Sequence, residues 1–250
     1  MVKGRYILLP LVLLAHAWAV DVDAAAGTKN LHDQASCLAL AERDPRDAYQ
    51  QAQKWHAAGG GIMARYCAAI ALVGLDRFAE AASRLQRLAA EVDNPEIAIN
   101  WLAQTGQIWF MAGHLTAAET VQTEILQRYP NDAEYRIDRA STRLAAGHFT
   151  AAIADLDYIL MRRPQSVDAL VYRGVAHRYA DALDLASQDI EQAKALAPTR
   201  ADIWLERGIL QQLRGNLDRA REDFIEALSL TDDLHLQQAI RDRIELMDLS

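Results

Sequence analysis

The chain has 250 residues, with 26 Lys+Arg against 34 Asp+Glu and a formal net charge of -8. That size suits one elongated repeat array or one or two globular domains. The acidic balance argues against a dedicated nucleic-acid binder: Arg162-Arg163 and Arg241/Arg243 are short, acid-flanked pairs and make no broad basic patch.

Residues 1–19 are laid out as a secretory signal peptide. Lys3 and Arg5 give a basic start, Tyr6–Ala15 is almost wholly apolar, and Ala17-Trp18-Ala19 offers small residues around a cleavage point. Ala24-Ala25-Ala26 is a second candidate for cleavage. The alternative is an N-terminal anchor, for which the apolar core is short. Removing 1–19 leaves 24 basic and 34 acidic side chains, formally -10. The expected product is exported, with the periplasm as its compartment and no integral membrane segment in the mature chain. Cys37 and Cys67 both fall in the exported part, where an even pair invites a disulfide; the other possibility is two small buried side chains that never meet.

Residues 20–61 read as an N-terminal helical segment with the features of a degenerate repeat. Ala48, Ala52 and Trp55 would continue a packing face, Pro45 would open its second helix, and Gly59-Gly60-Gly61 would end it. Beyond it a period of 34 emerges. Ala118, Ala152, Ala186 and Ala220 form one column; Gly106, Ala140, Gly174 and Gly208 form another. Pro130, Pro164 and Pro198 make a third, and Gly113, Gly147, Asp181 and Gly215 a fourth. Each unit reads as two helices: in 167–200 the first runs over 168–179 and the second over 183–196, with Ala186, Ile190 and Ala193 on one apolar face. Glycine between the helices suits a left-handed turn, and the proline is expected in the first turn of the following unit.

These columns resemble those of the tetratricopeptide repeat family. Leu102, Gly106, Trp109, Gly113, Ala118 and Pro130 carry the likeness in 99–132, and Trp204, Gly208, Gly215, Ala220, Phe224 and Ala227 in 201–234. Units 133–166 and 167–200 match similarly, and 62–95 is a fifth through Ala69, Leu72, Ala81 and Leu85. Three extra residues near Asn94-Pro95 are expected to interrupt its stacking. The resemblance implies an all-α fold, a right-handed superhelix of stacked antiparallel helix pairs over 62–234, with 235–250 as a capping helix. Asp232 or Asp233 would cap that helix, and Leu236, Ala239, Ile240, Arg243 and Leu246 would form its packing face.

Arg139, Arg173 and Arg207 stand 34 apart, as do Asp155, Asp189 and Asp223, and sixteen residues separate the columns. The spacing predicts arginine–aspartate struts between the helices of one unit, since a guanidinium can grip one carboxylate with two parallel bonds. Unit 99–132 lacks both partners, having Thr105 and Val121. A surface gripping an acidic ligand is the competing reading.

The resemblance also implies a partner-binding groove built from the first helices. Its candidates are Gln107, Phe110, Met111, Ile137, Ser141, Val171, Arg178, Tyr179, Leu205, Ile209 and Gln212. Several of these, Val171 and Leu205 among them, could equally pack neighbouring helices. No catalytic, cofactor or metal motif is present: there is no HExxH, no phosphate-cradling loop and no CxxC, and His114 and His148 read as surface turn residues. The expectation is a non-catalytic exported adaptor holding a protein or peptide, without cofactor or nucleic acid. The alternatives are a self-associating structural protein and, behind it, a glycan or small-ligand binder.

Overall fold

The structure, a computed structural model, describes residues 33–248, so the proposed signal peptide lies outside the described residues. Thirteen helices and no strand occur among the described residues. They are α1 (Gln34–Arg43), α2 (Pro45–Ala57), α3 (Gly61–Gly74), α4 (Phe78–Glu91), α5 (Pro95–Met111), α6 (Leu115–Arg128), α7 (Ala133–Ala145), α8 (Phe149–Leu160), α9 (Val167–Tyr179), α10 (Leu183–Leu196), α11 (Ala201–Leu213), α12 (Leu217–Ser229) and α13 (Leu234–Asp248). The chain divides within α7 into two compact units, one ending at Asp138 and the other starting at Arg139. In each, helices pack chiefly on their sequence neighbours.

One turn recurs between paired helices. Three residues link α3 to α4, α5 to α6, α7 to α8, α9 to α10 and α11 to α12, and the middle one always has positive φ. It is glycine at 113, 147 and 215, but Asp76 (φ 57°) and Asp181 (φ 61°) elsewhere. Around it two backbone bonds close the helix end, as in Gly113 N–H to Phe110 O and His114 N–H to Trp109 O. This is the Schellman arrangement, which satisfies carbonyls the helix would otherwise leave open.

The N-terminal unit packs around Leu72, Leu85, Leu88, Ile99 and Trp101, all buried. Tyr66 stacks on Trp101 with ring centroids 4.8 Å apart, and its hydroxyl donates to Gln104 Oε1 at 3.0 Å. Cys37 and Cys67 are joined in a disulfide that ties α1 to α3, with Cα atoms 6.0 Å apart. Asp44 alone separates α1 from α2; its carboxylate accepts from Asp47 N–H, and Pro45 takes the first helical position.

Two local expectations are corrected. The extra residues near Asn94-Pro95 do not interrupt packing; α5 absorbs them as a longer helix of 17 residues, still packed on α4. Asn94 caps it through Oδ1, and Pro95 stands at its start. The periodic prolines, by contrast, lie in the inter-unit turns, three residues before α7, α9 and α11, outside the helices. Their carbonyls accept side-chain bonds: Pro164 from Gln192 at 3.1 Å and Pro198 from the Trp204 indole at 2.7 Å.

In the C-terminal unit the small-residue column is used tightly. A Cβ on Gly208 would lie 2.5 Å from the Phe224 ring, and one on Gly174 would lie 2.9 Å from Ile190. Helix α13 closes the unit: Asp233 Oδ1 caps it, and Ile240 and Met247 join Leu205, Ile209 and Phe224 in one cluster. Met247 takes the buried position expected of Leu246, which is 63% exposed.

Candidate functional site

The arginine columns are internal struts. Arg139 Nε and Nη2 donate to Asp155 at 2.9 and 2.6 Å, and Arg173 does the same to Asp189 at 2.9 and 2.6 Å. Each carboxylate is buried, as is that of Asp223. The arginines also reach the previous unit. Arg173 Nη1 donates to Asp157 at 2.7 Å, and Arg207 Nε donates to Glu191 at 2.7 Å. Asp157 and Glu191 stand 34 apart, so a second acidic column was present in the sequence and was missed.

The strut weakens toward the C-terminus. Asp155 receives a second arginine, Arg143 Nη1 at 2.7 Å. The residue 34 later is His177, whose Nε2 lies 3.9 Å from Asp189 and whose pKa burial lowers. The next in that series is Gln211, which bonds Asn216 instead. Arg207, drawn to Glu191, gives Asp223 only one bond, at 2.8 Å, and leaves Asp223 Oδ2 buried without a partner. Desolvation accordingly raises the Asp223 pKa, while the Asp189 hydrogen bonds raise that of Arg173.

The proposed groove residues separate into two groups. Val171, Leu205 and Ile209 are buried and serve packing. Arg178 is not free either: Nε donates to Glu206 Oε2 at 2.8 Å and Nη2 to Oε1 at 3.2 Å, with both side chains more than nine-tenths covered. Burial pulls its pKa down, yet the Glu206 carboxylate outweighs that and the net shift is upward. Nothing at the repeat spacing announced this pair, 28 residues apart.

The remaining candidates are accessible. In the N-terminal unit Gln107, Phe110 and Ile137 are half-buried, and Met111 is 54% exposed. In the C-terminal unit Ser141, Tyr179 and Gln212 are half-buried, and Leu213, the neighbour of Gln212, is 56% exposed. Tyr179 stacks on Phe149 at 5.1 Å and carries the Arg178 guanidinium 4.3 Å from its ring centre. Met111, Tyr179 and Leu213 occupy one repeat column, each the last residue of a first helix. In the C-terminal unit Tyr179, Gln212 and Leu213 thus lie at helix ends, whereas Ser141 lies within α7.

Among the described residues no cluster of His, Cys, Asp or Glu could hold a metal, and no helix is long and apolar enough to cross a membrane. His114 and His148 precede α6 and α8, at their N-cap positions.

A tetratricopeptide repeat family profile matches residues 66–133 and 137–201, more than half of the chain. The chain is a tetratricopeptide repeat protein. Solved structures of this fold resemble it: a tetratricopeptide repeat protein from Parabacteroides merdae is 18% identical with TM-score 0.65, covering 85% of this chain and 83% of that one. A thermophilic repeat protein of Thermus thermophilus is 20% identical with TM-score 0.57, over 73% and 98% of the two chains. MamA from Desulfovibrio magneticus is 20% identical with TM-score 0.52, over 75% and 95%. At such identities the likeness is one of fold. No curated protein matches the sequence. As a tetratricopeptide repeat protein the chain has the build of a protein–protein interaction scaffold.

Proposed function

We propose that this repeat protein is an exported, non-catalytic adaptor that holds a protein or peptide partner. The observation that carries the reading is that apolar side chains end first helices in each unit taken by itself: Phe110 and Met111 in the N-terminal one, and Tyr179 and Leu213, beside Gln212, in the C-terminal one. Methionine and aromatic side chains at such positions supply contact area at modest conformational cost, which suits recognition of a partner segment. Beside Tyr179, Arg178 and Glu206 neutralise each other in a covered ion pair. Export is supported by the leader-like residues 1–19 and by the disulfide, which persists in an oxidising compartment such as the periplasm.

The test is affinity capture from an envelope extract with the wild-type chain and with Met111→Asp and Leu213→Asp. Both residues are exposed, so melting should be unchanged while the captured partner is lost. Retention of the partner by both variants would sink the groove. A self-associating structural role is the second reading, and light scattering separates it: the adaptor is monomeric in dilute solution. For export, N-terminal sequencing of the mature chain should begin at Val20.

A further inference from the structure

A cleft on the N-terminal unit, distinct from the helix-end column, has the make-up of an anion site. It opens between α2 and α4 over α3 and encloses about 320 Å³. Ala52, Ala64, Ala68 and Leu88 give it an apolar lining, and Ala52 and Ala68 belong to the same buried cluster as the Cys37–Cys67 disulfide. The small side chains leave the space between α2, α3 and α4.

The polar lining is of one sign. Arg65, Arg84, Arg87 and His56 line the cleft, and no Asp or Glu does, in a chain with net charge -8. The nearby carboxylates cancel these charges only in part. Arg65 is held by Glu91 at 2.5 and 2.8 Å. Arg84 donates to Glu80 at 2.7 Å and to the Tyr49 hydroxyl at 3.2 Å, but Glu80 is shared with Arg77. Arg87 makes neither a hydrogen bond nor an ion pair among the described residues, although its charge, with that of Arg65, helps lower the Glu91 pKa. Three guanidiniums thus line the apolar cleft, and the two carboxylates that meet them, Glu91 and Glu80, stand outside its lining, Glu80 being shared with Arg77.

We infer that this cleft binds a small amphiphilic anion: a carboxylate or phosphate group carried on a short acyl chain or an aromatic ring. The head would meet Arg87 and the outer face of Arg65, through charge-assisted bonds, and the body would cover the alanines and Leu88. A volume near the lower end of ligand cavities limits the body to a compact group.

Calorimetric titration of the full chain with octanoate and with octyl phosphate tests the site, alongside acetate, inorganic phosphate and octanol. The expected result is binding of both octyl anions and at least roughly tenfold weaker binding of the headless or tailless probes. Arg87→Glu should abolish octanoate binding with unchanged melting, because Arg87 supports no internal bond, and Arg87→Lys should retain most of it. Absence of octyl-anion binding at millimolar concentration, equal binding by octanol, or undiminished affinity in Arg87→Glu would each overturn the proposal. The helix-end variants Met111→Asp and Leu213→Asp should bind octanoate normally, so failure of the adaptor reading and failure of this one are separable.

Discussion

Residues 33–138 hold their helices with aromatic and aliphatic contacts and a disulfide, whereas residues 139–248 add a ladder of arginine–carboxylate bonds. The difference is plain at equivalent positions. Where Arg173 and Asp189 meet in the C-terminal unit, the N-terminal unit has Thr105, whose hydroxyl turns back to Trp101 O at 2.7 Å, and Val121, fully packed. Removing both charged partners together is benign, since neither is left buried alone. The ladder is therefore one solution among two. A salt bridge buried this way is weak evidence of added stability, but breaking half of one is costly.

The largest effect should come from breaking one rung. Asp189→Ala leaves Arg173 with only the exposed Asp157 and is expected to cost about 3–5 kcal/mol in denaturant unfolding. Thr105→Val, the matching change in the other unit, should cost about 1 kcal/mol or less. Next comes the staple. Replacing Cys37 and Cys67 by alanine should cost about 2–4 kcal/mol and show in hydrogen exchange as lost protection of α1, with α9–α12 untouched.

Packing in the small-residue column distinguishes the units less sharply. Gly208→Ala drives a methyl into the fully buried Phe224 ring and should cost about 1–3 kcal/mol, whereas Gly106→Ala meets the movable Gln122 side chain at 3.3 Å and should cost less. A smaller effect distinguishes the rungs themselves. The Asp223 pKa is raised, so above it the protein carries a poorly satisfied buried charge; stability from this group grows as pH falls through the folded value toward the ordinary aspartate range. Asp223→Asn should remove that dependence and be neutral or stabilising by about 1 kcal/mol at pH 7, unlike Asp189→Asn, measured by urea unfolding across pH. Smallest is the turn. Asp181→Gly relieves a left-handed non-glycine residue and should raise stability by about 0.5–1 kcal/mol in thermal melts.

Much of this was legible because a repeat writes each contact several times. The arginine–aspartate rungs and the turn column could be read from intervals of 34, the C-terminal cap from its apolar face and the aspartates before it, and the disulfide from an even pair of cysteines. Asp157 and Glu191 carried the same signal, but their partner sits in the following unit, so pairing columns only within a unit hid them. Arg178 and Glu206 pair across 28 residues and once only, so periodicity could not reveal them. The groove candidates were half legible: a first-helix position shows which face a side chain takes, but burial of Leu205 and Ile209 depends on α13 arriving beside them. The basic cleft needs three helices and is written in no single stretch of sequence.

The strut account stands or falls on a double-mutant cycle at Arg173 and Asp189. Arg173→Leu and Asp189→Leu are each expected to lose several kcal/mol, roughly 3–5, in denaturant unfolding, and the double variant to lose less than either alone. Additive losses, or single variants that unfold like the wild type while failing to capture the partner, would show that the arginines face a ligand and not their aspartates.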